Sequence, residues 1–138
     1  MFSIDQVKEK AKGSIKTLVF PESYDDRMLQ AAAEIAREGW AEVILLGNAD
    51  VIEAKRKELG IDLRNVGGID PRTLPELDTF ADELVEIRKK KGLSRDEAKG
   101  LLTAADNLFF GALMVRRGDA DGMVAGASNS TGNVLRAG

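Results

Sequence analysis

The 138-residue chain has the length of one ordinary domain, long enough to bury about 70% of its unfolded surface, and its 43% hydrophobic and 31% charged residues mark it as globular rather than disordered or fibrous. A net charge of −3 with acids and bases interspersed gives no global basic field, so neither nucleic acid nor an anionic membrane is an expected partner and any anion site must be local. The absence of both cysteine and histidine excludes disulfides, a thiol nucleophile and Ser-His-Asp chemistry, and removes the commonest metal ligand.

In chain order, Ser3 with Gln6 has the spacing of a capping box and opens a helix to about Lys12. Thr17 to Phe20 reads as a buried strand stopped at Pro21. Ser23 with Asp26 predicts the cap of a helix whose inward stripe is Met28, Leu29, Ala32, Ile35 and Ala36, and Gly39 stops it. Ala41 to Leu46 is the next strand. Gly47 and Asn48 then cap a helix of Val51, Ile52, Ala54 and Leu59 that ends at Gly60, and Val66 to Ile69 is a third strand before Asp70-Pro71. Helical spacing resumes from Leu77 to Lys91, stops at Gly92, restarts behind the cap Ser94 with Glu97, and returns as an apolar helix from Asp106 to Arg117. Gly118 ends that helix, and Gly122 to Ala127 is a small-residue strand running into Ser128-Asn129-Ser130-Thr131. Strands separated by amphipathic helices predict an α/β fold with an open, mostly parallel sheet. The longest apolar run, Leu108 to Val115, is far short of the roughly 20 residues a membrane span needs, and the N-terminus lacks a signal-peptide pattern, so a cytoplasmic location is expected.

Three features stand out against this pattern. Arg27 falls in a helix first turn, where the macrodipole favours acids; it answers either the adjacent Asp25 and Asp26 or an anion in the crevice past the strand ends. Arg88 follows Leu77, Ala81 and Leu84 at helical intervals, so it lies on the inward stripe, either binding the last carbonyls of its helix or aiming its fork at a phosphate. Gly126-Ala127-Ser128-Asn129-Ser130-Thr131-Gly132 offers backbone N–H groups and hydroxyls at a helix start, as a simple cap or as an anion cradle, with Arg136 five residues beyond Thr131. Neither Gly-x-Gly-x-x-Gly nor a Walker loop is present.

Taken in order, Phe20-Pro21-Glu22 with Asp26-Arg27, Leu45-Leu46-Gly47-Asn48, Ile87 to Gly92, and Gly118-Asp119-Ala120-Asp121-Gly122-Met123-Val124 leading to Leu135-Arg136 resemble the phosphate acetyltransferase family, in which phosphate butyryltransferases are close relatives. The resemblance covers nearly the whole chain. It implies a fold similar to the isocitrate dehydrogenase group, with a cleft between two α/β domains. It also implies reversible, metal-free transfer of an acyl group between an acyl phosphate and coenzyme A, the latter a substrate and not a cofactor, by a homodimer in the intact protein. By matching position, Arg27, Arg88 and Arg136 look like the arginines that hold the phosphates of coenzyme A or the acyl phosphate, and Ser130 and Thr131 look like the polar turn facing the substrate.

The chain departs from the family pattern at Asn133, Val134 and Ala137, and Asn129 stands where His is frequent. Family members continue for roughly as many residues again or more, and the Asp that activates the thiol lies in that part. The catalytic groups are therefore expected beyond Gly138, the last residue of this sequence. A thiol with a pKa near 8.5 needs a base, and none of these 138 residues is an evident one, so the chain alone is expected to be inactive and to be the N-terminal portion, residues 1–138, of a longer enzyme. The competing expectation is a non-catalytic module that senses acyl-CoA. The acyl chain preferred is not legible.

Overall fold

A computed structural model describes residues 16–126, so the helix expected behind Ser3 and the turn from Ser128 onward, to Gly138, lie outside the described residues. The element order is β1 (Thr17–Phe20), α1 (Asp26–Glu38), β2 (Glu42–Leu46), α2 (Ala49–Leu59), β3 (Val66–Ile69), α3 (Leu77–Ile87), a 3-10 turn (Lys89–Lys91), α4 (Arg95–Leu102), α5 (Leu108–Arg117) and β4 (Gly122–Met123). The four strands form one parallel sheet in the order β3-β2-β1-β4, the open α/β architecture expected from the alternation of strands and helices.

Both faces of the sheet are covered, which is why the central strands read as continuous apolar runs and not as alternating ones. Phe20, Val43, Leu45 and Val66 pack against α1 and α2, whereas Val19, Ile44, Leu46 and Ile69 pack against α3, α4 and α5. On the second face Phe80 and Phe110 stack at 5.0 Å between centroids. Gly111 lets α5 approach the sheet there, since a Cβ at that position would stand 2.7 Å from the Met123 sulfur.

The helix boundaries shift where local hydrogen bonding overrides the sequence pattern. The cap of α1 is Asp25, not Ser23: its carboxylate accepts the N–H groups of Arg27 and Met28 at 2.9 and 3.3 Å, while the Ser23 hydroxyl donates to the Leu46 carbonyl. Asp26 instead pairs with Lys55 at 2.7 Å. Within α1, Ala33 is buried and Ile35 and Ala36 only half so; in α2, Ile52 is buried whereas Val51 is 55% exposed. The α3 helix ends at Ile87 because Arg88 leaves helical geometry at φ −107° and ψ 26°, and the expected continuation to Lys91 is a 3-10 turn closed by Gly92. The Ser94–Glu97 capping box forms as expected. The helix expected from Asp106 starts at Leu108, since Asn107 sits in the left-handed region at φ 59°. Among the described residues of the strand expected from Gly122 to Ala127, Gly122 and Met123 form the strand, after which Val124 N–H still reaches the Val19 carbonyl at 2.9 Å.

Candidate functional site

From β1 the sheet grows outward through β2 to β3, and only the last strand, β4, lies on the other side of β1. The direction of growth of the sheet therefore reverses between β1 and β4, whose carboxyl ends lie side by side. In open α/β sheets such a switch point forms a crevice suited to ligands.

Two buried polar side chains close the floor of this crevice. Glu22, in the loop after β1, has no exposed surface, and its Oε1 accepts the N–H of Gly126, just past β4, at 2.6 Å. Asn107, 2% exposed, donates from Nδ2 to the carbonyl of Pro21 at 3.0 Å and more weakly to that of Leu46 at 3.4 Å. Its Oδ1 accepts from Arg72, which also donates to the Ala104 carbonyl at 3.0 Å and pairs with Asp70 at 3.2 Å. The exits of β1, β2 and β3 and the start of α5 are thus joined by one network around a residue held at positive φ, a local strain that persists only where its surroundings enforce it. Gly47 belongs to the same tight corner, because a Cβ there would meet the Ser23 hydroxyl oxygen at 2.5 Å. Beside the network lies a cavity of about 210 Å³, walled by Tyr24, Asn48, Val51, Arg72 and Asn107. Glu22 was visible in the sequence only as part of a motif, and Asn107 and Arg72 were missed; the one available signal was an Asn directly before an apolar helix.

Of the sequence-derived candidates, Arg27 stands in the first turn of α1 at the crevice rim, its side chain 73% exposed and paired with Asp25 at 3.1 Å. Its guanidinium pKa is raised above the ordinary value, first by the hydrogen bond to Asp25 and then by the charge of that carboxylate. The local ion pair therefore forms, but its arginine still faces solvent. Arg88 sits at the end of α3 with its guanidinium 4.9 Å from the ring centroid of Phe109, in the first turn of α5. The two arginines come from helices on opposite faces of the sheet, so they flank the crevice from either side and do not share one wall. Ser130, Thr131 and Arg136 lie outside the described residues, following the exit of β4. So does Gly138, the residue past which the catalytic groups are expected.

The acids of the Gly118 to Val124 string stand at the other end of the sheet. Asp121 Oδ2 accepts the Thr17 N–H at 2.7 Å while the Asp121 N–H donates to the Thr17 carbonyl at 2.8 Å, clasping the first and last strands at their starts. Asp119 is fully buried, 3.3 Å from Nε of Arg117, whose guanidinium lies 3.8 Å from the ring centroid of Phe80. These acids frame the sheet; of the described part of the segment that begins at Asp121, it is Gly126, held by Glu22, that meets the crevice. Among the described residues no group of three or more acids could hold a metal ion, and no helix is long and apolar enough to cross a membrane.

Comparison with known proteins places this geometry in context. The family model described as Phosphate acetyl/butaryl transferase matches residues 2–138. A phosphate acetyltransferase of Acetivibrio thermocellus is 43% identical over 136 residues, covering 99% of this chain and 40% of that protein. A phosphotransacetylase structure from Streptococcus pyogenes superposes with a TM-score of 0.82 at 34% identity, over 96% of this chain and 40% of the other. The EutD phosphotransacetylase from Staphylococcus aureus gives 0.81 at 31% identity, over 97% and 40%. The chain thus spans about 40% of the length of these relatives.

Proposed function

We propose, for a chain that belongs to the phosphate acetyl/butaryl transferase family, that residues 1–138 form the N-terminal α/β domain of an enzyme exchanging an acetyl group between acetyl phosphate and coenzyme A. The observation that carries this reading is the closed switch point. Glu22 holds Gly126 at the exit of β4, so the chain is delivered to the crevice immediately before Ser130, Thr131 and Arg136. Arg27 and Arg88 flank the same crevice.

In this reading the three arginines and the Ser130-Thr131 turn bind and orient phosphate. Acyl transfer from acyl phosphate passes through a crowded anionic centre, and fixed guanidinium and N–H donors both align the reactants and stabilise charge as it develops. Coenzyme A is a substrate, and the chemistry calls for no metal or other cofactor. The base that takes the thiol proton is supplied by a part of the enzyme beyond Gly138, because the 138 residues hold no His and no evident acid placed for the task. The complete protein acts as a cytoplasmic homodimer.

Titration calorimetry of this chain with coenzyme A should show weak binding, and Arg27→Ala should loosen it about fivefold, the effect of losing one charge-assisted contact at an exposed site. The chain should form no thioester from acetyl phosphate and coenzyme A. Absence of binding at millimolar coenzyme A would overturn the substrate reading, and thioester formation would overturn the placement of the base beyond Gly138.

A further inference from the structure

Among the described residues two arginines lie over aromatic rings, and they differ in what else holds them. The guanidinium carbon of Arg117 stands 3.8 Å from the Phe80 centroid, and its Nε also lies 3.2 Å from Glu83 and 3.3 Å from Asp119. The guanidinium carbon of Arg88 stands 4.9 Å from the Phe109 centroid, and its side chain makes neither an ion pair nor a hydrogen bond with any described residue. Glu86, an acid two residues away in sequence, pairs instead with Lys89 at 3.4 Å.

The backbone fixes where the Arg88 side chain departs. Its N–H donates to the Leu84 carbonyl at 3.0 Å, closing the last turn of α3, and its carbonyl accepts the Lys91 N–H at 2.9 Å, opening the 3-10 turn. The ring is fixed independently. Phe109 is the second residue of α5, half-buried and packed against the core cluster that contains Leu84, Phe110 and Leu113. The start of α5 is in turn set by Asn107, whose Nδ2 donates to the carbonyls of Pro21 at 3.0 Å and Leu46 at 3.4 Å. The platform beneath Arg88 is therefore tied to the exits of β1 and β2, the loops that floor the crevice.

A ring holds a cation differently from a carboxylate. The charge is attracted to the negative face of the ring, which consumes no N–H group and cancels no charge. A carboxylate takes donors and neutralises the group, as Asp25 does at Arg27 with contacts of 3.1 and 3.4 Å. Arg88 thus keeps its N–H donors and its full charge while losing freedom to swing, so an anion that binds it meets a smaller ordering cost.

We propose that Phe109 is the positioning residue for Arg88, its ring presenting the guanidinium pre-oriented and unspent to an anionic substrate in the crevice. The inference rests on the reading in which Arg88 binds phosphate, and it adds the group that aims the arginine. In sequence Phe109 reads as one apolar residue of an apolar helix.

The test follows the side-chain proton signals of Arg88 by NMR in the full chain, because a ring beneath the guanidinium shifts them upfield. They should stay upfield in Phe109→Tyr and return to the values of an unstacked arginine in Phe109→Leu. By titration calorimetry, coenzyme A should bind Phe109→Leu about fivefold more weakly and Phe109→Tyr as it binds the parent. In the Arg88→Ala background Phe109→Leu should cost nothing further, a result that a merely structural role would not produce. Leucine keeps an apolar side chain at this half-buried position, so the circular dichroism of the variant should match the parent. Unshifted Arg88 signals in the parent overturn the proposal whatever the variants do. So does a Phe109→Leu change that weakens binding equally with and without Arg88, and in that case the phosphate reading stands. If Arg88→Ala binds coenzyme A as the parent does while Phe109→Leu releases the Arg88 signals, the hold of the ring stands and the phosphate reading of Arg88 fails.

Discussion

At the amino end of the sheet the first and last strands are clasped by one residue: the Asp121 carboxylate accepts the Thr17 N–H and the Asp121 N–H donates to the Thr17 carbonyl, while Asp119 is sealed behind Arg117 and Phe80. At the carboxyl end the last backbone bond, from the Val124 N–H to the Val19 carbonyl, is followed by a side chain, Glu22, reaching across to Gly126, with Asn107 and Arg72 bracing the neighbouring loops. Both ends bury acids, yet among the described residues it is the carboxyl end whose network is bordered by a cavity and by partly exposed apolar side chains, Tyr24 at 42% and Val51 at 55%. The contrast shows that burial of a charged group does not by itself mark a site. What separates the two ends is whether the buried network closes on itself or frames open space.

Substitutions at the two ends should separate stability from ligand handling. The largest effect is expected for Asp119→Ala, which leaves the Arg117 guanidinium, 18% exposed, with Glu83 as its one carboxylate partner among the described residues; a loss of about 3 kcal/mol by urea denaturation is expected, with coenzyme A affinity of the folded chain unchanged. A matching loss of affinity would mean that the ends are coupled. Glu22→Ala comes next, at about 2 kcal/mol, because the Gly126 N–H loses its buried acceptor. Here affinity should fall as well, and Glu22→Gln, which keeps an oxygen for that N–H, should recover most of both. If Glu22→Ala changed stability alone, the carboxyl network would be a frame like the amino one.

The smallest effect is expected at an exposed control ahead of β3. Hydrogen bonds from the Arg64 side chain and N–H hold the Asp62 carboxyl down to about 2, below the ordinary 3.8. Since the folded value is depressed, the stabilisation is complete above the unfolded value and is lost as pH falls from about 4 through about 2. Arg64→Ala should return the Asp62 pKa, followed by carboxyl NMR, toward 3.8 with little change in urea midpoint at neutral pH; an unmoved pKa would sink the assignment.

Much of the fold was legible. Strands bounded by Pro21, Gly47 and Asp70-Pro71, and helices stopped at Gly39, Gly60 and Gly118, announce themselves because apolar runs and glycine caps are local signals. The helix starts at Asp25 and Leu108 were not: Ser23 is drawn off by the Leu46 carbonyl and Asn107 by Pro21, partners distant in sequence. The site divides the same way. Arg27 and Arg88 stood out against their helical positions, whereas Glu22 and Asn107 act through partners 104 and 86 residues away, a relation that spacing along the chain cannot carry.

The two ties between first and last strands have a kinetic consequence. Thr17 to Asp121 and Glu22 to Gly126 each close a separation of 104 residues. Strands β1, β2 and β3 pair with neighbours one crossover apart and can assemble as a three-stranded sheet before β4 arrives, whereas docking β4 must overcome the entropy of a far longer loop. During synthesis from the N-terminus, the crevice floor is therefore among the last parts to form, and until then the flank of β1 waits as an open edge, the surface on which a stalled or destabilised chain would begin to associate.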